Sequence, residues 1–535
     1  MLLVTVSCQK RIATGDAALD NVPAIAITDN THKDRIVTVP TFTSSASVVE
    51  TRSAFKLPVM FSDNCLLQAN KACRIWGECT DVGKMAVEIT DAVGKSAMYY
   101  GEVGADRYFE IFFLGADYGE GYTLRLITES GKSRTLSDVA FGELFIAGGQ
   151  SNMGWTVGIC YNKTAGENKY QEDINTASNT AIRYLAIHPV SSKTQREELY
   201  EGEEVVATGW SHAEPTTVIH YSACAYFFCR EFNKMYNVPV GIIQSCMGAT
   251  YIYTWMPPEA YEKSYKQQNL PDTPSFRGSE FFNAMIYPLR KMTVRGFLWY
   301  QGEGDYKHYA ENEVLLVEGW RALFEDDGLF WGDVQLPRYI HSTYGDWFLC
   351  REEHKKACAA LSNATYSVNI DLGLLPQDIA VGDESNPQPI HPYDKKPVGQ
   401  RLCYAMMQQF YGASGVWRGP VYKSSKLKDG IITVSFDNVG AGICLYGAGG
   451  FEVAGSDSVF LPATPVYADG RTITLDCQQV ENPVYIRYGY SNESSLTGSV
   501  EHFKDIAESV CVYNTKGTDA VKAFPLEQFA VKIGE

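Results

Sequence analysis

Residues 141–155, FGELFIAGGQSNMGW, constrain this chain more than any other stretch. Leu144, Phe145, Ile146 and Ala147 form an apolar run that reads as a buried strand. Gly148-Gly149 breaks it just before Gln150-Ser151-Asn152-Met153. A hydroxyl on a tight turn at the C-terminal end of a buried strand is where open α/β sheets place reacting groups. Two glycines let the turn tighten and let backbone N–H groups face whatever Ser151 attacks. The competing reading is a plain βα turn with an N-capping serine. The company Ser151 keeps further along the chain decides between them.

At 535 residues the chain exceeds one ordinary core and suggests about two to four domains. Its 45% hydrophobic and 20% charged residues exclude the disordered and membrane-embedded classes. The net charge of −17, with no Lys/Arg-rich run, makes nucleic acid and anionic lipid poor partners. No stretch reaches the roughly 18 apolar residues of a membrane span.

The first residues, MLLVTVSCQK, resemble the tail of a bacterial lipoprotein signal with Cys8 as the acylated residue, although a basic n-region is missing. An ordinary frayed terminus is the alternative. The expectation is an exported protein, periplasmic or a cell-surface lipoprotein of a bacterium, with residues 1–22 as leader and 23–54 as a polar linker. Fourteen cysteines contain no C-x-x-C pair, so a zinc site is not expected. Buried free thiols are the expected fate of most, with disulfides open to an exported chain.

From Leu57 to Ala140 short β-like runs alternate with turn signals: Arg74–Gly77, Met85–Ile89, Tyr108–Phe113 and Tyr122–Leu126. Their spacing predicts a small all-β sandwich over 55–140. From 141 to 411 strands and helices alternate, the mark of a three-layer α/β domain. Val238–Ile243 and Val294–Tyr300 read as its buried strands. Ser222 is placed to N-cap one helix, and Asp394 another whose apolar stripe is Val398, Leu402, Ala405, Met406 and Phe410. Over 412–535 the text turns β again, through Ile431–Phe436, Thr472–Leu475 and Val484–Tyr488.

Residues 141–153 resemble the nucleophile block of the sialate O-acetylesterases, a branch of the SGNH (GDSL-like) hydrolases. Two further segments fit the same family in the same order. They are Trp299-Tyr300-Gln301-Gly302-Glu303, and Ile390-His391-Pro392 with Lys395 and Val398–Leu402. Weaker similarity runs from about Lys56 to about Phe524. The resemblance implies an SGNH-type three-layer α/β domain with flanking β domains.

A serine hydroxyl needs a base, and with nine histidines in the chain position discriminates. His391 lies in a loop just before the last amphipathic helix, where a histidine can meet a nucleophile from the first strand. Met153 replaces the last glycine of a G-x-S-x-G elbow, so the α/β-hydrolase pattern does not fit. Many SGNH hydrolases carry Asp three residues before the histidine; here that position is Gln388, whose amide oxygen would orient the ring without charge. Asp383, Glu384 or a backbone carbonyl are the alternatives.

For the oxyanion the expected donors are the Ser151 and Gly248 N–H groups and the Gln301 side chain. The alternative for Gln301 is a buried amide tying down loops. The family's second glycine is Ala249 here, and Asp305 stands where many relatives carry Asn. An ionised Asp305 would repel an oxyanion and reads as structural or substrate-side. Glu303 reads as a structural acceptor of backbone N–H groups beneath the site.

No metal or cofactor is expected. Asp63, Asp371 and Asp437 form no ligand pattern, and neither a G-x-G-x-x-G after a strand nor a Walker motif is present. The expected activity is removal of acetyl groups from sugar hydroxyls through an acetyl-serine. The resemblance implies O-acetylated sialic acid as substrate. Acetylated plant glycans are the alternative substrate, and a glycan-binding surface protein with a decayed esterase core the alternative function.

Overall fold

The computed structural model describes residues 18–25, 31–39, 42–44, 47–162, 167–200, 209–268, 278–304, 307–341, 345–373, 390–392, 394–445, 449–490, 512–516 and 521–534. Cys8, expected as an acylated residue, lies outside them.

Between Ala72 and Thr128 the strands pair antiparallel. Strands β1 (Ala72–Cys79), β2 (Gly83–Thr90), β3 (Ser96–Val103), β4 (Tyr108–Leu114) and β5 (Gly119–Thr128) lead into β6 (Lys132–Gly149), and the sheet order is β6-β5-β2-β3-β4-β1. All four β runs read from the sequence between Arg74 and Leu126 fall in these strands.

β6 is 18 residues long and serves two sheets. Its first part pairs antiparallel with β5. The register slips on both sides of Val139, beside Asp138 in the left-handed region at φ 52°. Such an irregularity bends a strand and re-aims it. Beyond the bend Glu143–Gly149 pair in parallel with one neighbouring strand, and Phe145–Gly149 with a second on the other side. Leu144, Phe145, Ile146 and Ala147 are all fully buried, as a strand covered on both faces requires.

That second sheet is built from β7 (Asn179–Ala186), α1 (Ala223–Tyr236), β8 (Val240–Cys246), β9 (Gly296–Tyr300), α2 (Tyr309–Leu323), β10 (Phe330–Val334), α3 (Trp347–Ala360), β11 (Ala364–Ser367) and α4 (Lys395–Tyr411). Its six main strands run in the order β7-β8-β6-β9-β10-β11, all parallel, and Ser211–Ala213 adds an antiparallel strand at the β7 edge. The chain fills one side of β6 first and then crosses to the other. The C-terminal end of β6 is therefore the topological switch point, where open α/β sheets leave a crevice.

The Ser222 Oγ accepts from the Ala225 N–H at 3.2 Å and caps α1 as expected. Asp394 does occupy the N-cap position of α4 but makes no capping bond. Its carboxylate instead accepts from the Tyr170 hydroxyl at 2.9 Å and faces Lys169 at 3.2 Å. A tertiary donor has outcompeted the local one. Helices α1 and α4 are joined by Glu231, which accepts from Tyr404 Oη at 2.7 Å and Gln400 Nε2 at 3.0 Å.

One continuous apolar core runs through the antiparallel sheet and the parallel sheet with its helices. A seven-stranded antiparallel sheet between Val421 and Lys532 has its own core around Val434, Ile473, Ile486 and Phe529. The β segments read at Ile431–Phe436, Thr472–Leu475 and Val484–Tyr488 belong to it. All described cysteines, including Cys73, Cys79, Cys224 and Cys229, are free thiols.

Candidate active site

At the C-terminal end of β6 the chain turns sharply against β9. The Gln150 N–H donates to the Tyr300 carbonyl at 3.0 Å. Gly149 has φ 125°, and a Cβ there would lie 2.1 Å from the Tyr300 oxygen, so only glycine fits. Ser151 then opens a single helical turn, Ser151–Gly154. His391 Nε2 lies 2.8 Å from Ser151 Oγ across 240 residues of sequence. With its proton on Nδ1, a neutral imidazole accepts the serine proton in this geometry.

Trp155 stacks on the His391 ring, with centroids 4.4 Å apart and planes at 21°. Burial, aided by the charge of Lys395, draws the His391 pKa down to about 4. The base is thereby neutral, and competent, well below neutral pH.

Gly248 follows β8 beside the nucleophile: a Cβ there would stand 3.4 Å from the Ser151 Cβ. Its neighbour Ala249 adopts φ 57°, the left-handed conformation a glycine would take more cheaply. Gln301 is fully buried, and its Nε2 donates to the Thr250 carbonyl at 2.9 Å. It thus braces the loop that carries Gly248. Among the described residues Gln301 makes no hydrogen bond to Ser151, although its amide nitrogen holds a second hydrogen.

Beneath Ser151 sits a polar group that the sequence reading left without a role. Asn152, completely buried, donates through Nδ2 to Glu303 Oε1 at 2.5 Å and to the Ile390 carbonyl at 2.9 Å. Its Oδ1 accepts from Lys395 Nζ. The Lys395 ammonium also lies 5.0 Å from the centre of the Tyr300 ring. Burial lowers Lys395 to about 8 and raises Glu303 to about 7. Glu303 therefore is an acceptor beneath the site, but for a side-chain amide, while its backbone carbonyl takes the Trp347 indole N–H at 3.0 Å. Lys395 was findable in sequence as a lone cation on the stripe of Val398 and Leu402. Asn152 offered only its place next to the serine. Gln388, Asp383, Glu384 and Asp305 lie outside the described residues.

Further from the serine, ligand atoms of Glu313, Asp333 and Cys358 lie within 4.8 Å of one another. His354 Nδ1 is bonded to Asp333 Oδ2 at 2.5 Å, and the Trp331 indole N–H donates to Glu313 at 2.7 Å. His354 is raised to about 9, its two carboxylate neighbours outweighing burial, while burial and Asp333 push Glu313 well above the carboxylate range.

Against known proteins, residues 142–372 match the family model described as carbohydrate esterase, sialic acid-specific acetylesterase. The sialate O-acetylesterase of Mus musculus is 27% identical over 357 residues, 56% of this chain and 63% of that protein. The Homo sapiens sialate O-acetylesterase is 28% identical over 319 residues, 54% of this chain and 58% of that protein. The matched stretch thus spans about three fifths of these relatives. A crystal structure of a carbohydrate acetylesterase from Xanthomonas citri superposes with a TM-score of 0.71 at 27% identity, covering 89% of this chain and 99% of that one. In fold and in sequence the chain is thus similar to carbohydrate esterases. Within that likeness, residues 142–372 are the stretch similar to the sialic acid-specific acetylesterases.

Proposed function

We propose that the chain removes O-acetyl groups from sugars by a serine mechanism, with O-acetylated sialic acid as the preferred substrate. The observation that carries this reading is the 2.8 Å contact between Ser151 Oγ and His391 Nε2 at the switch point of the sheet. His391 takes the serine proton as Oγ attacks the acetyl carbonyl. The N–H groups of Ser151 and Gly248 hold the oxyanion, with the second Gln301 hydrogen as a further donor. His391 then protonates the departing sugar hydroxyl. Water, deprotonated by the same histidine, releases acetate and restores Ser151. Residues 141–411 form the catalytic unit in this reading, and we assign its parallel sheet to the SGNH type.

The names of the relatives favour sialic acid; the Xanthomonas neighbour, a carbohydrate acetylesterase, leaves acetylated plant glycans as the second substrate class. The test is acetate release from an O-acetylated, sialic-acid-rich mucin and from acetylated xylan, with Ser151→Ala as control. Release from mucin that the substitution abolishes is the expected result. Release from xylan alone would keep the mechanism and change the substrate. Release from neither above the control would favour a glycan-binding role.

A further inference from the structure

The contact between Ser151 and His391 needs two loops, distant in sequence, held in register. One side chain touches both. Asn152 follows the nucleophile directly, and its Nδ2 reaches the carbonyl of Ile390, the residue before His391. We propose that Asn152 is a positioning residue for the Ser151–His391 pair, kept in a single amide orientation by Lys395 and Glu303. This inference rests on the esterase reading for what the pair does.

The orientation follows from donor and acceptor chemistry. An ammonium only donates, so Lys395 Nζ must face Oδ1. A carboxylate and a carbonyl both accept, so Glu303 Oε1 and the Ile390 oxygen must face the two hydrogens of Nδ2. Every polar site of the amide that points to a partner is thereby matched in sign. Rotating it by half a turn would set an NH2 against an ammonium and an oxygen against two acceptors. Asn152 and Lys395 are 0% exposed and Glu303 2%, so solvent offers no compensation for a mismatch.

The partners arrive from separate segments: Glu303 just beyond β9, Lys395 at the start of α4, Ile390 in the histidine loop. Fixing one amide therefore fixes the nucleophile turn against the end of β9 and against the histidine loop together. The Lys395 ammonium is itself held over the Tyr300 ring, whose carbonyl anchors the Gln150 N–H at the nucleophile turn. The backbone of the histidine loop thus takes its position from the residue next to the nucleophile.

The experiment compares the full chain with Asn152→Ala, the near-isosteric Asn152→Asp, and Lys395→Met. It reads the labelling rate of Ser151 by a fluorophosphonate, kcat and KM on a small acetyl ester, and thermal melting. In Asn152→Ala and Asn152→Asp the labelling rate and kcat should fall together by about 100-fold, the scale of a misplacement of roughly 1 Å. KM should stay within about twofold, because the lost interaction serves the transition state rather than ground-state binding. Lys395→Met should lose about tenfold in the same two readouts.

Labelling within about threefold of wild type in a folded Asn152 variant, or a loss confined to KM, would overturn the proposal. If the Asn152 variants do not fold, an unchanged labelling rate in Lys395→Met overturns it instead. Wild-type chain that labels at Ser151 but frees acetate from no sugar would sink the substrate reading and leave this test decisive. Wild-type chain that fails to label would sink both.

Discussion

Glu143 and Glu303 are fully buried glutamates at opposite ends of the same two adjacent strands, and they are treated in opposite ways. Glu143, on β6 where the parallel pairing begins, receives Arg295 through two nitrogens at 2.6 and 3.1 Å. It also accepts the hydroxyls of Tyr411 at 2.9 Å and Tyr118 at 2.5 Å. Tyr118 lies in the turn that enters β5 of the antiparallel sheet and Tyr411 ends the last helix, so this saturated charge joins the two regions. Glu303, just beyond β9, has one oxygen on Asn152 and a second that takes no hydrogen bond from any described side chain or backbone group. Burial pushes it to about 7. The N-terminal end of the sheet satisfies its buried polar groups and so contributes stability. The end carrying Ser151 leaves groups partly satisfied, with shifted pKa values, and so contributes reactivity.

Breaking the saturated end should give the largest effect. Arg295→Met strands the Glu143 carboxylate and is expected to cost about 3–5 kcal/mol of unfolding free energy in urea titration. Ser151 in the fraction that stays folded should keep its fluorophosphonate reactivity. A loss of reactivity without a loss of stability would erase the contrast between the two ends.

Two histidines, His354 fully buried and His391 half-buried, sharpen it. His354 is held protonated by Asp333, with a folded pKa of about 9 against 6.5 for an ordinary imidazole. Its contribution to stability is full below pH 6.5 and is lost as pH rises through 9. Unfolding free energy should therefore decline between pH 6.5 and 8, by at most about 1.4 kcal/mol per pH unit for one proton. Glu303, also raised, adds to the decline below pH 7. Lys395, lowered to about 8, opposes it only above that value. An NMR titration should show the His354 ring still charged at pH 8.

His391 behaves inversely. Since its pKa is lowered to about 4, the Ser151 labelling rate at pH 5 should remain close to that at pH 7. A base with an unperturbed pKa would lose about 30-fold over that range. In Lys395→Met the acid limb should move upward, toward 6.5, because the buried charge beside the ring has gone. An acid limb at 6.5 in the wild-type chain would contradict the assigned environment.

The smallest effect lies in the loop after β8. Ala249→Gly relieves a left-handed alanine and should raise stability by about 1 kcal/mol, less the entropy glycine gains on unfolding. Denaturant midpoints of the two chains check this directly.

Much of this scaffold is legible in sequence because its signals are local. An apolar run with Gly-Gly at its end specifies a buried strand and a tight turn whatever surrounds it. Ser222 caps its helix through a bond three residues away. Asp394 shows where that logic stops: the sequence marks the helix start correctly, but Tyr170, 224 residues distant, takes the carboxylate. Gln301 was readable as an oxyanion donor or as a loop brace, and its contact with Thr250 shows the brace.

The sequence alone determined the strand order of chemistry: a serine after the first parallel strand, a histidine before the last helix, and the glycine block between them. Period, turn residues and spacing depend on neighbours a few positions away, and a linear text carries them. Only the tertiary structure decided that Ser151 and His391 meet at 2.8 Å, that Asn152 joins their loops, and that one histidine is held neutral while another is held charged. Those outcomes depend on distance and burial, which arise when segments hundreds of residues apart pack together and exclude water.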